Sequence, residues 1–213
     1  MIIAIDFDGT VVDSSPIFTA CMNSLGGEFG YRKIEPGSGL RDKSAHEFLA
    51  KHLGLSHEQL LEWTDRFKVL LKLSMRSALP FKGMKEVLGR LCSHYRVGIL
   101  ISNSEEVVRY IMNRDGFRAV DFIYSDIPIL EKDRALKELL LAEGLLPHET
   151  IYIGDEVRDI DACRSAGIKI ISACWGFNSR VALEKRTPDY LVESPEELSN
   201  LLLSPWPAGL WND

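Results

Sequence analysis

From residue 80 to the C-terminal region the chain alternates short apolar runs with amphipathic stretches, and that alternation is its strongest constraint. The periodicity predicts helices over 84–92, 105–113, 132–142 and 160–166. Between and after them lie apolar runs at 97–101, 122–124, 150–153, 168–172 and 190–192. Strands that alternate with helices of this length imply βαβ units and a parallel sheet. Ile2 to Ile5 supplies a further buried strand at the start of the chain. The expected fold class is therefore α/β.

The stretch from Ser14 to Leu79 has a different character. It reads as helices at 15–25, 43–53 and 57–77, punctuated by Gly26-Gly27 and by the loop 35–39. Leu60, Leu61, Phe67, Leu70, Leu71 and Met75 form an apolar stripe along the last of these. The expected organisation is a core of residues 1–13 and 80–213, with residues 14–79 as a helical insertion.

The function classes are bounded by charge and composition. A net charge of −6 gives no field that favours a nucleic acid polymer or an anionic membrane. No apolar run is long enough to span a bilayer. The N-terminus lacks the basic region of a secretory signal. Cys21, Cys92, Cys163 and Cys174 are too scattered for a metal site and fit a reducing, cytoplasmic setting. The tail at 205–211 carries Trp206 and Trp211, which suit packing on the body or on a partner. A monomer and a homodimer are equally compatible.

The chemistry concentrates where predicted strands end. Ligands bind at the carboxyl ends of strands in open parallel sheets. Asp6 and Asp8 follow the first strand, two apart, and can converge on one ligand. A carboxylate after an all-apolar strand must be paired, hydrogen-bonded or metal-bound. Ser102-Asn103 follows the strand at 97–101 and suits phosphate oxygens, with a helix cap as the plainer reading. Lys132 opens a helix and is either a solvated surface group or a point charge for phosphate. Asp155 and Asp159, four apart after the strand at 150–153, repel unless donors or a cation lie between them; capping is the alternative. Together these residues describe phosphoryl transfer. Asp6, Asp155 and the backbone carbonyl of Asp8 would supply hard oxygens to Mg²⁺. Asp6 would attack phosphorus, Lys132 would offset charge, and Asp8 would serve as acid and then base.

These motifs resemble those of the haloacid dehalogenase-like hydrolases, and within them the phosphoglycolate phosphatase-like members with a helical cap. The segment from Asp6 through Ser14 is similar to the family's first motif, Ser102-Asn103 to the second, Lys132 to the third and Gly154 through Asp159 to the fourth. Asp133 stands where a proline often follows the lysine. The resemblance implies a Rossmannoid three-layer core with an inserted C1-type α-helical cap, and Asp159 as a further acidic or supporting ligand of Mg²⁺. It implies that Asn103 shapes the phosphate site. It also likens Pro80-Phe81-Lys82-Gly83 to a return linker and Trp175-Gly176-Phe177 to a stretch after the fifth strand. Ser38, Arg41 and Lys43 in the cap become candidates for substrate contact, against the alternative of a surface loop.

The expected activity is Mg²⁺-dependent hydrolysis of a small phosphorylated metabolite through an aspartyl-phosphate, with phosphoglycolate as one acidic candidate. Asp8 separates this from dehalogenation. The absence of a histidine soon after the first motif lowers the case for a sugar phosphomutase. Nucleotidase or pyrophosphatase activity, and a catalytically idle interaction protein, are the remaining alternatives.

Overall fold

The computed structural model describes residues 1–35, 40–42, 52–127 and 131–203. Its centre is a six-stranded sheet in which every pairing is parallel. The strands are Ile2–Asp6 (β1), Arg96–Leu100 (β4), Phe122–Tyr124 (β5), Thr150–Gly154 (β6), Lys169–Ala173 (β7) and Tyr190–Val192 (β8), in spatial order β5-β4-β1-β6-β7-β8. Strand β1 is central and buried throughout.

The two-residue period of the strands sorts their side chains into two apolar layers. Ile3, Ile5, Val97, Ile99, Ile151 and Ile153 pack on one face. They meet the helices Met84–His94, Glu105–Asp115 and Pro195–Leu203 through Leu88, Val108 and Leu198. Ala4, Leu100, Tyr152 and Ile170 point the other way. They meet Lys132–Glu143 (α5) and Val157–Ala166 (α6) through Leu136, Leu139 and Ile160. This is the expected α/β sandwich. The paired strands between β1 and its neighbours run in parallel register, Ile5 opposite Ile99 and Ile153.

The helical insertion leaves and re-enters the core through a ribbon absent from the sequence reading. Val12–Asp13 (β2) pairs antiparallel with Leu79–Pro80 (β3). Two-residue strands are too short to carry a period, so the pattern could not reveal them. Between them, Ser15–Phe29 (α1) packs against His57–Ser74 (α2). Cys21, Met22, Leu25, Tyr31, Ile34, Leu53, Trp63 and Phe67 form a separate apolar cluster there. Trp63 and Phe67 stack at 4.7 Å between ring centroids.

Most boundaries shift by one or two residues, and three differences have a visible local cause or form. Helix α1 does not stop before Gly26-Gly27; it continues to Phe29 and ends at left-handed Gly30. Glycine costs about 1 kcal/mol inside a helix, but Gly26 is where Tyr31 folds back, and an added Cβ would lie 3.0 Å from the Tyr31 carbonyl. The Tyr31 hydroxyl also donates to the Met22 carbonyl, so the contact replaces what propensity loses. Helix α2 tightens into a 3₁₀ turn at Met75–Ser77. Helix α6 begins at Val157, three residues earlier than 160, because the Asp159 carboxylate accepts from the N–H groups of Asp155 and Glu156. The expected helix at 43–53 falls mostly outside the described residues, as does the tryptophan-bearing tail.

Candidate active site

Four strand-end segments converge at one end of the sheet. After β1 the chain turns tightly, with the N–H groups of Val11 and Val12 both donating to the Phe7 carbonyl. Phe7 is buried in the core, so Asp6 and Asp8 on either side of it face away from it. Gly9 has φ +82°, and a Cβ there would lie 2.3 Å from Asp155 Oδ2. Only glycine permits both the turn and that approach.

Lys132 begins α5 and is 3% exposed. Its Nζ donates to Asp6 Oδ2 at 2.5 Å and to Asp159 Oδ1 at 2.6 Å. It also lies 5.4 Å from the centre of the Tyr152 ring. Burial opposes its charge, but Asp159 and Asp6 outweigh burial and hold its pKa well above the ordinary value. The lysine is therefore a fixed internal cation rather than a solvated surface group.

Asp155 is fully buried. Its Oδ1 accepts from the Thr10 hydroxyl at 2.6 Å and its Oδ2 from the Phe177 N–H at 2.6 Å. Asp159 uses Oδ1 on Lys132 and Oδ2 on two backbone N–H groups. Carboxylate oxygens of Asp6, Asp155 and Asp159 lie within 4.8 Å of one another. Three acids packed this closely and out of water are costly to ionise together.

That cost appears in their titration. Burial raises the pKa of Asp6 to about 6, against the pull of Lys132. Burial and the nearby Asp6 carboxylate raise Asp8 to about 7. Burial, Asp6 and Glu156 push Asp155 well above the carboxylate range. A hard divalent cation fits this donor set, because it stabilises the ionised forms that burial disfavours.

The pH consequence has a definite sign. Folded-state values above the unfolded value mean that the folded protein retains protons the unfolded chain has lost. These groups therefore cost no stability below about pH 4, and cost progressively more as pH rises through about 6 to 7. A bound divalent cation offsets that cost. The rise in Tm on saturation with the cation should thus increase between roughly pH 5 and pH 8. Thermal melts with and without cation across that range test this; a pH-independent rise contradicts it.

A cavity of about 650 Å³ opens beside these acids. Asp8, Ser102 and Asn103 line its core side. Asp8 Oδ1, Ser102 Oγ and Asn103 Nδ2 are buried and have no hydrogen-bond partner among the described residues. Buried polar atoms are seldom left unpartnered unless a ligand or solvent completes them. Asn103 also uses its Oδ1 to accept from the Ser104 N–H, which fixes the amide. Phe18, Thr64, Lys68 and Lys72 from the helical insertion line the opposite side.

Of the three expected cap contacts, Ser38 and Lys43 lie outside the described residues. Arg41 is not among the cavity-lining residues; its guanidinium donates to the carbonyls of Cys174, Gly176 and Phe177. Several contributors were not anticipated. Thr10 and the Phe177 N–H hold Asp155, Glu156 pairs with Arg158 at 2.5 Å beside the cavity, and Lys68 faces it from α2. Thr10, Glu156, Arg158 and Phe177 lie in segments that the resemblance covered without giving them a role, whereas Lys68 lies outside all of those segments. The spacing of Thr64, Lys68 and Lys72 at four-residue intervals would have placed them on one helix face.

Residues 3–173 match the family model described as haloacid dehalogenase-like hydrolase. The chain is 36% identical over 200 residues to a phosphoglycolate phosphatase of Synechococcus elongatus, covering 92% of this chain and 94% of the relative. A phosphoglycolate phosphatase of Nitrosococcus oceani is 28% identical, with 94% and 95% covered. Among solved structures, a haloacid dehalogenase-like family hydrolase from Streptococcus pneumoniae superposes with a TM-score of 0.76 at 25% identity, covering 92% of this chain and 95% of its own. Among the described residues no helix is long and apolar enough to cross a membrane.

Proposed function

The chain belongs to the haloacid dehalogenase-like hydrolase family and is a phosphatase, and we propose that it cleaves small phosphomonoesters of the phosphoglycolate type with Mg²⁺, through an aspartyl-phosphate on Asp6. The observation that carries this reading is the shared cavity: unpartnered Ser102 Oγ and Asn103 Nδ2 lie on it together with Asp8. Asp6, Asp155 and the Asp8 carbonyl would hold Mg²⁺, which when bound neutralises charge and lets an anionic ester approach the carboxylates. Asp159, with both oxygens on protein donors, holds Lys132 and the ligand loop in place.

The remaining roles follow from the residues' own chemistry. Lys132 fixes the Asp6 carboxylate and offsets its charge. Ser102 and Asn103 donate to phosphoryl oxygens. Asp6 attacks phosphorus, and the P–O bond to the leaving alcohol breaks as the new P–O bond forms. Asp8, with its pKa raised to about 7, is protonated in a substantial fraction of molecules at neutral pH, and that form delivers the proton to the leaving oxygen. Ionised after that step, it takes a proton from the water that hydrolyses the aspartyl-phosphate. The insertion of residues 14–79 acts as a cap that limits bulk water and selects the leaving group.

Selection for an acidic leaving group falls to Lys68. Of the two cap lysines on the cavity, Lys72 lies 3.6 Å from Glu106, whereas Lys68 has no ion pair among the described residues. Phosphoglycolate carries a carboxylate on its leaving group, which Lys68 can meet. A Mg²⁺-dependent assay should therefore favour phosphoglycolate over ethyl phosphate. Lys68→Met should lower that preference, as a ratio of kcat/KM values, by about tenfold, the worth of one charge-assisted hydrogen bond. An unchanged ratio would remove Lys68 from this role. Failure to hydrolyse any phosphomonoester with Mg²⁺ present would overturn the proposed reaction itself.

A further inference from the structure

We infer that Arg41 is a positioning residue: it clasps the loop 174–179 to the helical insertion and thereby holds the Asp155 carboxylate in the geometry that binds metal. This rests on the reading of Asp155 as a metal ligand. The clasp has two ends. At the outer end, the Arg41 side chain donates to the carbonyls of Gly176 at 3.1 Å, Cys174 at 3.3 Å and Phe177 at 3.4 Å. The Arg41 carbonyl accepts from the Ser179 N–H at 2.7 Å and from Asn178 Nδ2 at 3.0 Å. Asp42 Oδ1 accepts from the Ser179 hydroxyl at 2.6 Å. Six contacts thus tie one short turn, Leu40–Asp42, to one loop of the core.

At the inner end the same loop grips Asp155. The Phe177 N–H donates to Asp155 Oδ2 at 2.6 Å, and the Asn178 N–H donates to the Asp155 carbonyl at 3.2 Å. Asn178 is fully buried, and its Oδ1 accepts from the Val157 N–H at 2.8 Å, at the start of α6. Trp175 Nε1 donates to the Thr10 carbonyl at 3.1 Å, and the Thr10 hydroxyl donates to the other Asp155 oxygen. The fit leaves no slack at Gly176, where a Cβ would lie 2.3 Å from both Asp155 Cβ and the Gly9 carbonyl. Both carboxylate oxygens of Asp155 are therefore oriented by groups that this loop either carries or touches.

The physical logic is that of a fork on a row of carbonyls. Arginine presents several donors in a fixed plane, so one side chain can gather three carbonyls of a turn. The Gly176 carbonyl shares its peptide unit with the Phe177 N–H, and the Phe177 carbonyl belongs to the next one. Releasing them frees the loop to shift, and Asp155 loses a donor that fixes its rotation. The insertion also meets the loop through Phe18, whose ring lies edge-on to Phe177 at 5.7 Å. Docking of the insertion and readiness of the metal ligand are thus coupled through one strip of backbone.

The test is Mg²⁺ affinity of the substrate-free protein, measured by calorimetric titration for wild type, Arg41→Met and Arg41→Lys. Groups that orient metal ligands directly are worth 10–100-fold in affinity. Arg41 acts one step further out, so Arg41→Met should weaken Mg²⁺ binding by about 5–10-fold. Arg41→Lys should recover part of the loss, since one ammonium can still engage a carbonyl. The half-saturating Mg²⁺ concentration for activity should rise in parallel, more than KM for the ester does. Equal Mg²⁺ affinity in wild type and Arg41→Met, with KM alone altered, would overturn the clasp and make Arg41 a substrate contact. Absence of Mg²⁺ binding by the wild type would overturn the metal reading, and the clasp with it.

Discussion

Asp6→Asn should reduce turnover by a factor on the order of 10⁴ or more, while leaving the protein folded and, without metal, at least as stable as the wild type. The rate loss follows from removing the nucleophile; the amide of asparagine cannot form the aspartyl-phosphate. The stability effect follows from electrostatics. Asp6 is 3% exposed and sits among Asp155 and Asp159, and its raised pKa means that ionising it costs more in the fold than in the unfolded chain. Asparagine is nearly the same size and brings no charge. Lys132 keeps Asp159 as a partner, so the cation is not stranded. A metal-free Tm at or above that of the wild type, by up to a few degrees, is the expected melt. Turnover within tenfold of the wild type would contradict the mechanism.

Lys132→Met should move stability the other way. The lysine is the cation that Asp6 and Asp159 share. Removing it leaves two buried carboxylates facing each other without their directly bonded cation, and only Arg158 nearby as counter-charge. Breaking a buried pair by deleting one partner typically costs about 3–5 kcal/mol. For a chain of this size that is a fall in Tm of roughly 10 °C. Turnover should fall by about 10²–10³-fold or more, as when one transition-state donor is lost. Because Lys132 and Asp6 touch, the two variants should not add: Asp6→Asn introduced into Lys132→Met should restore part of the lost Tm. Melting the two single variants and the double variant measures this. A metal-free Tm of Lys132→Met equal to the wild type would show that the buried ion pairs do not contribute as described.

The opposite signs matter because they separate charge from packing. Both side chains are buried, and loss of contact alone would destabilise in both cases. Only a site that is over-supplied with negative charge predicts that an acid can be removed without loss while its lysine cannot.

Much of the core was legible because strands and helices leave different periods. Ile2 to Ile5 had no polar interruption, and the strand it forms is the buried centre of the sheet. Phe122–Tyr124 and Tyr190–Val192 were read with their observed bounds. Elsewhere the ends slipped by a few residues where a side chain bonded to backbone, as Asp159 does at the start of α6. The residues at the strand ends were legible for a chemical reason. An acid that follows an apolar strand needs a partner, and two such segments, at Asp6 and at Asp155, were visible beside Ser102-Asn103 and Lys132. Their meeting at one site was expected from their shared place at strand ends, but the direct bond from Lys132 to Asp6 across 126 positions was not.

What stayed hidden was carried by backbone and by faces. The Phe177 N–H and the carbonyls of Cys174 and Gly176 have no side-chain signature, so the loop that grips Asp155 left little trace. Gly26 read as a breaker because its purpose, room for Tyr31, is a tertiary contact. Arg41 was singled out for its charge, but its charge alone could not reveal that carbonyls of the core are what it meets. Lys68 lies outside every motif read in the sequence, and only the packing of α2 over the strand ends brings it to the cavity.

The most direct measurement is chemical capture of the phosphorylated enzyme. Mixing the protein with Mg²⁺ and a phosphomonoester, quenching rapidly and reducing with borohydride converts an aspartyl-phosphate to homoserine, which peptide mass spectrometry locates. Homoserine at position 6, dependent on substrate and on Mg²⁺, is the predicted result. Reduction at another aspartate, or full hydrolytic turnover with none captured at position 6 under conditions that trap acyl phosphates, would contradict it.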